Sequence, residues 1–124
     1  MKQKTDGRGR FEASLRNLEQ SLEYLKKAKE EQVYAAAIAK NFETCLEYAW
    51  KYLKQRATDE GVEVYSPKEA IKQAGRLGIV DDVEKWLSFL EVRNLAVHDY
   101  LGLSDDEYLK AIQAFLPEAK KLLR

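Results

Sequence analysis

The stretch that decides the fold spans residues 34–53 and reads YAAAIAKNFETCLEYAWKYL. Its apolar side chains recur every three or four positions, which is the period of an amphipathic α-helix with one buried face. We expect this to be the longest helix of the protein, ending before the polar residues 58–61. The stripe consists of Tyr34, Ile38, Phe42, Cys45, Leu46, Ala49, Trp50 and Leu53.

Helices are also predicted on both sides of this stretch. Downstream, Ser66, Pro67 and Glu69 form a helix start, with a serine cap, a proline at the first helical position and a glutamate that closes a capping box. The helix that they open should be short and stop near Gly78. Residues 62–65 have no partner strand, so we expect a loop there. Upstream, a first helix should begin near Phe11, with the stripe Phe11, Leu15, Leu18, Leu22 and Leu25.

Two further helix starts complete the chain. Residues 81–82, both aspartate, cap a helix with a stripe of apolar residues, and residues 104–107 form another capping box before the last helix. Pro117 should kink or interrupt that last helix, because it lacks a backbone donor and crowds the carbonyl one turn back. Four long helices and a short one predict an all-α fold, a four-helix up-and-down bundle with an additional short helix. The stripe after residue 82 consists of Val83, Trp86, Leu87 and Leu90.

Size and composition limit the class of protein. With 124 residues, 45% of them apolar and 34% charged, we expect one helical domain over residues 11–124 after a flexible lead-in over residues 1–10. The 21 basic residues balance the 21 acidic ones, so any contact with nucleic acid should be local. No apolar run approaches the ~20 residues of a membrane span, and a single cysteine excludes an internal disulfide. These features favour a cytoplasmic protein without a membrane anchor.

Residues 91–100, with the sequence EVRNLAVHDY, depart from the helical pattern. At about 100° per residue, Asn94 falls within the stripe set by Leu87 and Leu90, where an apolar side chain is expected. A buried amide without partners costs about 1–3 kcal/mol, so Asn94 should be hydrogen-bonded. Its partners would belong either to a bridge between helices or to a functional site, and the sequence leaves both open.

Arg93 and His98 suggest a chemistry for this segment. On an ideal helix they lie about 140° apart, so they would meet only if two copies of the chain pack around a two-fold axis. A histidine with a pKa near neutrality could then move a proton at a ribose hydroxyl while the arginine holds the phosphate. Such a cleft would cleave RNA without a metal ion or another cofactor. The simpler and more common case is a histidine at the surface or at a helix end.

Tyr100 lies two helical turns beyond Arg93, so a continuous helix would place both side chains on one face. A tyrosine at such a position usually packs through its ring. An exposed hydroxyl beside a phosphate-binding arginine could also accept a transferred group. The sequence leaves both roles open.

The residues from Arg93 to Tyr100 resemble the motif of the HEPN superfamily: arginine, a polar residue, a short spacer, histidine, one residue and tyrosine. Val92 is a departure, because relatives often carry an acidic residue there. The resemblance extends from about Phe11 to the C-terminus and points to the nucleotidyltransferase substrate-binding proteins within that superfamily. The further matching segments are Phe42-Glu43, Trp50-Lys51, residues 66–71 (SPKEAI), residues 78–82 (GIVDD) and Trp86.

The resemblance implies a four-helix up-and-down bundle that forms a homodimer and binds a separately encoded minimal nucleotidyltransferase. It also implies a toxin–antitoxin pair, in which Arg93 and His98, supported by Asn94, form the active site of an RNA-cleaving protein. The partner would silence that protein by transferring adenylate to Tyr100. Three interpretations therefore stand: a partner subunit of a nucleotidyltransferase, a metal-independent ribonuclease toxin, and a plain helical interaction module.

Other residues have simpler explanations. The cations Lys68, Lys72 and Arg76 share fourfold spacing on the short helix and could contact an acidic partner or RNA, although a solvated face explains them more simply. Cys45 lies within a helix stripe, so core packing is favoured over a reactive thiol. Trp50 and Trp86 also lie within helix stripes, so contacts in the core or with another subunit are favoured over stacking on a base. The sequence contains no glycine-rich phosphate loop, zinc-ligand cluster or nucleophile elbow.

Overall fold

The computed structural model describes residues 6–98 and 105–124, and for residues 6, 95–98 and 105 it describes the backbone alone. All regular elements in these two ranges are helical, which confirms the predicted all-α fold, a four-helix up-and-down bundle with an additional short helix. Within the described ranges, no helix is both long and apolar enough to span a membrane. The elements are α1 (Asp6–Ser21), a 3-10 turn (Leu22–Tyr24), α2 (Leu25–Ala28), α3 (Gln32–Asp59), α4 (Pro67–Arg76), α5 (Val83–His98) and α6 (Asp105–Lys121).

The first helix begins earlier than the sequence pattern predicts. The pattern places its start near Phe11, after a lead-in, whereas α1 begins at Asp6. Arg8 explains the difference, because its guanidinium donates hydrogen bonds to the Tyr52 hydroxyl at 3.1 Å and to the Leu123 carbonyl at 2.9 Å. These bonds join residues far apart in the sequence, so local periodicity could not reveal them. Residues 1–5 of the expected lead-in lie outside the described residues.

The stretch 34–53 forms most of α3, which is the longest helix, as predicted. This helix packs against α1, α4 and α6. Most of its predicted stripe is buried, including Ile38, Phe42 and Leu53, while Tyr34 and Trp50 at its margins are half-buried. Burial of one face along the helix is what the apolar period indicates. After α3, residues 62–65 form the expected loop.

The predicted caps set the start of α4 and α5. The Ser66 hydroxyl accepts a hydrogen bond from the Glu69 backbone N–H at 3.1 Å, which confirms the serine cap. Two residues beyond the end of α4, Gly78 has a φ of 77°, a left-handed conformation that glycine adopts without strain. At the start of α5, the Asp82 carboxylate accepts a hydrogen bond from the Lys85 N–H at 3.0 Å. The α4–α5 connection is therefore short and defined at both ends.

Aromatic rings from three helices form the centre of the core. The rings of Phe42, Trp86, Phe89 and Phe115 pack edge to face, with centroids between 5.2 and 5.7 Å apart. None of these side chains is more than 2% exposed. Trp86 is thus a core residue, as predicted. Phe89 was not part of the predicted stripe, and its burial rotates the core face of α5.

Pro117 does not interrupt α6, which continues to Lys121. A proline inside a helix leaves one backbone carbonyl without its usual donor. Packing compensates for that loss, because Phe115 and Ala119 on either side of the proline are fully buried. Packing in the core therefore determines where this helix ends, and the sequence around Pro117 alone does not show that packing.

Candidate functional site

The polar end of α5 begins where the buried face of the helix ends. Trp86, Phe89 and Leu90 form that face, and Arg93 follows Phe89 by one helical turn. At about 100° per residue, Arg93 lies within about 20° of Trp86 around the helix axis. Its side chain is 32% exposed. The guanidinium therefore lies on the core side of α5, at the edge of the bundle, and does not extend freely into solvent.

Glu47 of α3 holds this arginine from the neighbouring helix. Its Oε1 lies 3.5 Å from Arg93 Nη2, and the same oxygen accepts a hydrogen bond from Trp50 Nε1 at 3.3 Å. Its Oε2 lies 3.2 Å from Lys51 Nζ. With 35% of the Glu47 side chain exposed, water screens these interactions only in part. One carboxylate thus organises three donors around the end of α5.

Glu47 is a residue of the site that the sequence pattern did not predict. A weak signal was available, since Glu47 lies between the stripe residues Leu46 and Trp50 and so at the margin of the buried face. A carboxylate at that margin is placed to face a neighbouring helix. The contact between Glu47 of α3 and Arg93 of α5 forms only when the two helices come together in the folded bundle. The sequence pattern of either helix alone therefore does not indicate it.

The prediction that Asn94 occupies a core position is wrong. Its side chain is exposed, and its Oδ1 lies 3.5 Å from Arg93 Nη1. The physical reason is the rotated core face of α5, because burial centres on Trp86 and Phe89 while Leu87 is only half-buried. On an ideal helix Asn94 then lies about 80° from Trp86, at the edge of the buried face. The amide therefore needs no buried partner and stands beside the guanidinium.

The backbone of α5 includes His98 as its last residue. Because the backbone is helical from Arg93 to His98, the two residues lie about 140° apart around the helix axis, as expected. We still predict that their side chains meet only when two copies of the chain pack together. Tyr100 lies outside the described residues, so its shared face with Arg93 also stays a prediction.

Arg93 separates two surface cavities. The smaller one, of about 250 Å³, lies against α3, and its lining includes Lys40, Glu43, Glu47, Lys51 and Arg93. The larger one, of about 470 Å³, lies between the start of α4 and the polar end of α5. The guanidinium is open on both sides, which suits a group that binds a phosphate or a carboxylate. The larger cavity is lined by Ser66, Pro67, Lys68, Leu87, Leu90, Glu91, Arg93 and Asn94.

The end of α4 and the start of α5 approach each other closely. Gly75 of α4 faces Val83 of α5, and a Cβ at position 75 would clash with the Val83 side chain. Their positions along α4 separate the three cations that the sequence grouped together. Lys68 lines the cavity, whereas Lys72 and Arg76 are exposed farther along α4 and are not among the described residues of its lining.

Cys45 is a buried core residue, as predicted. The pKa of its thiol is raised from 9.0 to about 12. This net value combines burial, which raises the pKa, with a smaller opposing effect of the hydrogen bond to Ser14. The thiol is therefore neutral at physiological pH and unreactive as a nucleophile. Among the described residues, no three His, Cys, Asp or Glu side chains are placed to hold a metal ion.

Known proteins share the sequence pattern of this chain. The family model described as "Nucleotidyltransferase substrate binding protein like" matches residues 9–124. A curated protein of Haemophilus influenzae, named a probable ribonuclease HepT, is 29% identical over 103 residues. The matched region covers 76% of this chain and 67% of that protein.

Solved structures share the fold. A tri-AMPylated HEPN toxin of Shewanella oneidensis, in complex with MNT antitoxin, superposes with a TM-score of 0.82 at 14% identity, covering 99% of this chain and 96% of that one. A Haemophilus influenzae protein with the fold of a substrate-binding domain of a nucleotidyltransferase superposes with a TM-score of 0.69 at 22% identity, covering 91% and 93%. At these identities the likeness concerns the fold alone.

Proposed function

We propose that this chain, which belongs to the family of nucleotidyltransferase substrate-binding-like proteins, is the helical subunit of a two-component module and works with a separately encoded minimal nucleotidyltransferase. The module resembles a toxin–antitoxin pair. In this proposal the chain forms a homodimer in the cytoplasm, and Tyr100 lies near the active site of the partner. The family match across residues 9–124 and a fold shared with a toxin solved beside its antitoxin support the proposal.

The observation that carries the proposal is the polar end of α5. A helix that only closed its own core would continue the buried face with apolar residues, yet Arg93 occupies that face and the exposed Asn94 stands beside it. The ion pair with Glu47 holds the guanidinium between two cavities. A positioned arginine at the edge of a domain favours a surface that binds an anionic group of another molecule, such as a nucleotide.

The partnership is tested by incubating the purified chain with the nucleotidyltransferase encoded beside it, ATP and magnesium, and then measuring the intact mass. We expect one or more adenylate additions on the wild type and none on Tyr100→Phe. Tyr65→Phe is the matched control, because Tyr65 is 77% exposed and would be modified by an enzyme that accepts any accessible tyrosine. An adduct that survives Tyr100→Phe removes Tyr100 from the scheme. Absence of both an adduct and a complex overturns the partnership.

The positioned arginine favours a second function, metal-independent cleavage of RNA. Arg93 would hold the phosphodiester while His98 takes the proton from the adjacent ribose 2′-hydroxyl. The 2′-oxygen forms a bond to phosphorus, the bond to the 5′-oxygen breaks, and a proton is returned to that leaving oxygen. The products are a 2′,3′-cyclic phosphate and a 5′-hydroxyl. A curated relative that is named a probable ribonuclease supports this candidate.

Glu47 has a positioning role in this second function. Relatives often carry an acidic residue at the position of Val92, and here a carboxylate reaches Arg93 from α3 instead. Nη2 faces Glu47 and Nη1 faces Asn94, so the guanidinium plane is held from two sides. Because Lys51 shares the same carboxylate, the cations around Glu47 outnumber its single negative charge. A net positive charge is left for a phosphate.

RNA cleavage is tested with the purified protein and single-stranded RNA in the presence of a metal chelator. Arg93→Ala and His98→Ala should each reduce the cleavage rate by about 10²–10⁴-fold, because they remove the phosphate-binding group and the proton carrier. Arg16→Ala is the control, since it removes an exposed arginine from α1. A wild type that cuts no RNA and is harmless when expressed alone eliminates the ribonuclease candidate. If that protein also binds no nucleotidyltransferase, a plain helical interaction module is left.

A further inference from the structure

The larger cavity beside Arg93 has the size of a ligand site. It measures about 470 Å³, within the range of roughly 300–1,000 Å³ that is usual for small-molecule sites. It lies between the start of α4, which Ser66 caps, and the second half of α5.

The lining divides by chemistry into a wall and a rim. Pro67 and Leu87, both half-buried, and Leu90, which is 8% exposed, supply an apolar wall. Lys68, Glu91, Arg93 and Asn94 supply two cations, one carboxylate and one amide around it. An apolar wall beside cations and hydrogen-bonding groups matches a nucleotide, which combines an apolar base face with a charged phosphate.

Lys68 is the cation of this cavity for which the described residues provide no ion pair. Lys51, Lys85, Lys120 and Lys121 each lie within 3.5 Å of a carboxylate. Within the part of the chain that the structure describes, Lys68 has no such partner, although Glu91 lines the same cavity. Its ammonium group is thus available for a phosphate, and the Glu91 carboxylate is available to accept a hydrogen bond from a base or a ribose hydroxyl.

We propose that this cavity is a nucleotide subsite for RNA, in which Lys68 binds the phosphate next to the one held by Arg93. The proposal rests on the ribonuclease function proposed above. Arg93 lines the cavity, so a strand whose phosphate lies on the guanidinium has its neighbouring nucleotide at the Pro67–Leu87–Leu90 wall. RNA is favoured over a protein segment because the lining combines two cations and a hydrogen-bond acceptor with an apolar wall. Lys72 and Arg76 lie outside the subsite.

The test compares Lys68→Ala with Lys72→Ala, which removes the same charge one turn farther along α4 and outside the cavity. Binding of a single-stranded RNA is measured at several salt concentrations in a His98→Ala background, where the strand stays intact. Loss of one phosphate contact should reduce the slope of log affinity against log salt by about 0.7 for Lys68→Ala and leave it unchanged for Lys72→Ala. In the otherwise wild-type chain, Lys68→Ala should raise KM several-fold and leave kcat near its original value.

Each outcome decides for or against the subsite. Equal salt slopes for the two lysine variants, alongside loss of cleavage in Arg93→Ala, overturn the subsite and leave the ribonuclease function intact. A Lys68→Ala variant that binds RNA normally but no longer forms a complex with the nucleotidyltransferase makes the cavity a surface for that partner and also overturns the subsite. A wild type that neither cuts nor binds RNA overturns the ribonuclease function, and the subsite with it.

Discussion

The two halves of α5 have the same helical backbone but opposite surroundings. In the first half, Trp86 and Phe89 pack edge to face against each other and against Phe115 of α6. In the second half, from Glu91 onward, Arg93 is held to α3 by one ion pair and Asn94 is exposed. Packing in the core holds the first half in place. The second half is held by an ion pair that water screens in part. Substitutions in the first half should therefore change stability, whereas those in the second should change function and leave stability nearly intact.

The largest expected effect concerns the buried half. Phe115 contacts the rings of Phe42, Trp86 and Phe89, and its side chain is fully buried. Phe115→Ala leaves a cavity and should lower the free energy of unfolding by about 3–5 kcal/mol. Urea denaturation followed by circular dichroism measures the change. The half-buried Leu116 on the same helix serves as the control, and Leu116→Ala should cost clearly less. Equal losses for the two variants would contradict the central role of the aromatic cluster.

Cys45 tests how strongly the core excludes water. Burial raises the pKa of its thiol to about 12 from the ordinary 9.0, so the unfolded chain ionises first as pH rises. Its contribution to stability is therefore complete below pH 9.0 and is lost as the pH approaches about 12. The difference in unfolding free energy between wild type and Cys45→Ala should shrink as the pH rises from 9.0 toward about 12. A difference that is constant over this interval would mean that the thiol is solvated.

A smaller effect on activity is expected for a substitution of Glu47, the residue of α3 that pairs with Arg93 in the polar half of α5. Glu47→Gln keeps the size of the side chain and removes its charge, so the guanidinium loses its anchor. RNA cleavage should fall about tenfold, equivalent to about 1.4 kcal/mol, while the unfolding free energy changes by less than about 1 kcal/mol. Glu12→Gln is a matched control, because Glu12 also lies 3.5 Å from an arginine, Arg8, at similar exposure. Equal cleavage by the two variants would remove Glu47 from the site.

Local patterns were sufficient for α3 and for the starts of α4 and α5. The stripe of α3 and the caps at Ser66 and Asp82 depend on neighbours within one or two turns, and the structure confirms them. The early start of α1 could not be predicted in this way, because Arg8 depends on Leu123 near the other end of the chain. Contacts of that range exist only after the bundle has assembled.

The candidate site was predictable in part. The segment 93–98 stood out because polar residues interrupt an apolar period, and the structure places Arg93 in an ion pair at the end of the core. Asn94 was assigned to the core because Leu87 appeared to be central to the stripe, while Phe89 is the residue that is buried. Glu47 was missed because it comes from another helix. The period of apolar residues identifies the helix that has polar side chains on its buried face. Only the assembled bundle determines which residues those side chains contact.

In the proposed function, the polar half of α5 acts on another molecule and contributes little to folding. The most direct test of that role is the unfolding free energy of Arg93→Ala, measured in parallel with Phe115→Ala. Because Glu47 retains Trp50 and Lys51 as partners, the loss for Arg93→Ala should be about 1 kcal/mol or less. A loss of about 3 kcal/mol or more, as large as that of the aromatic core variant, would show that Arg93 is there to hold the bundle together and would contradict the account.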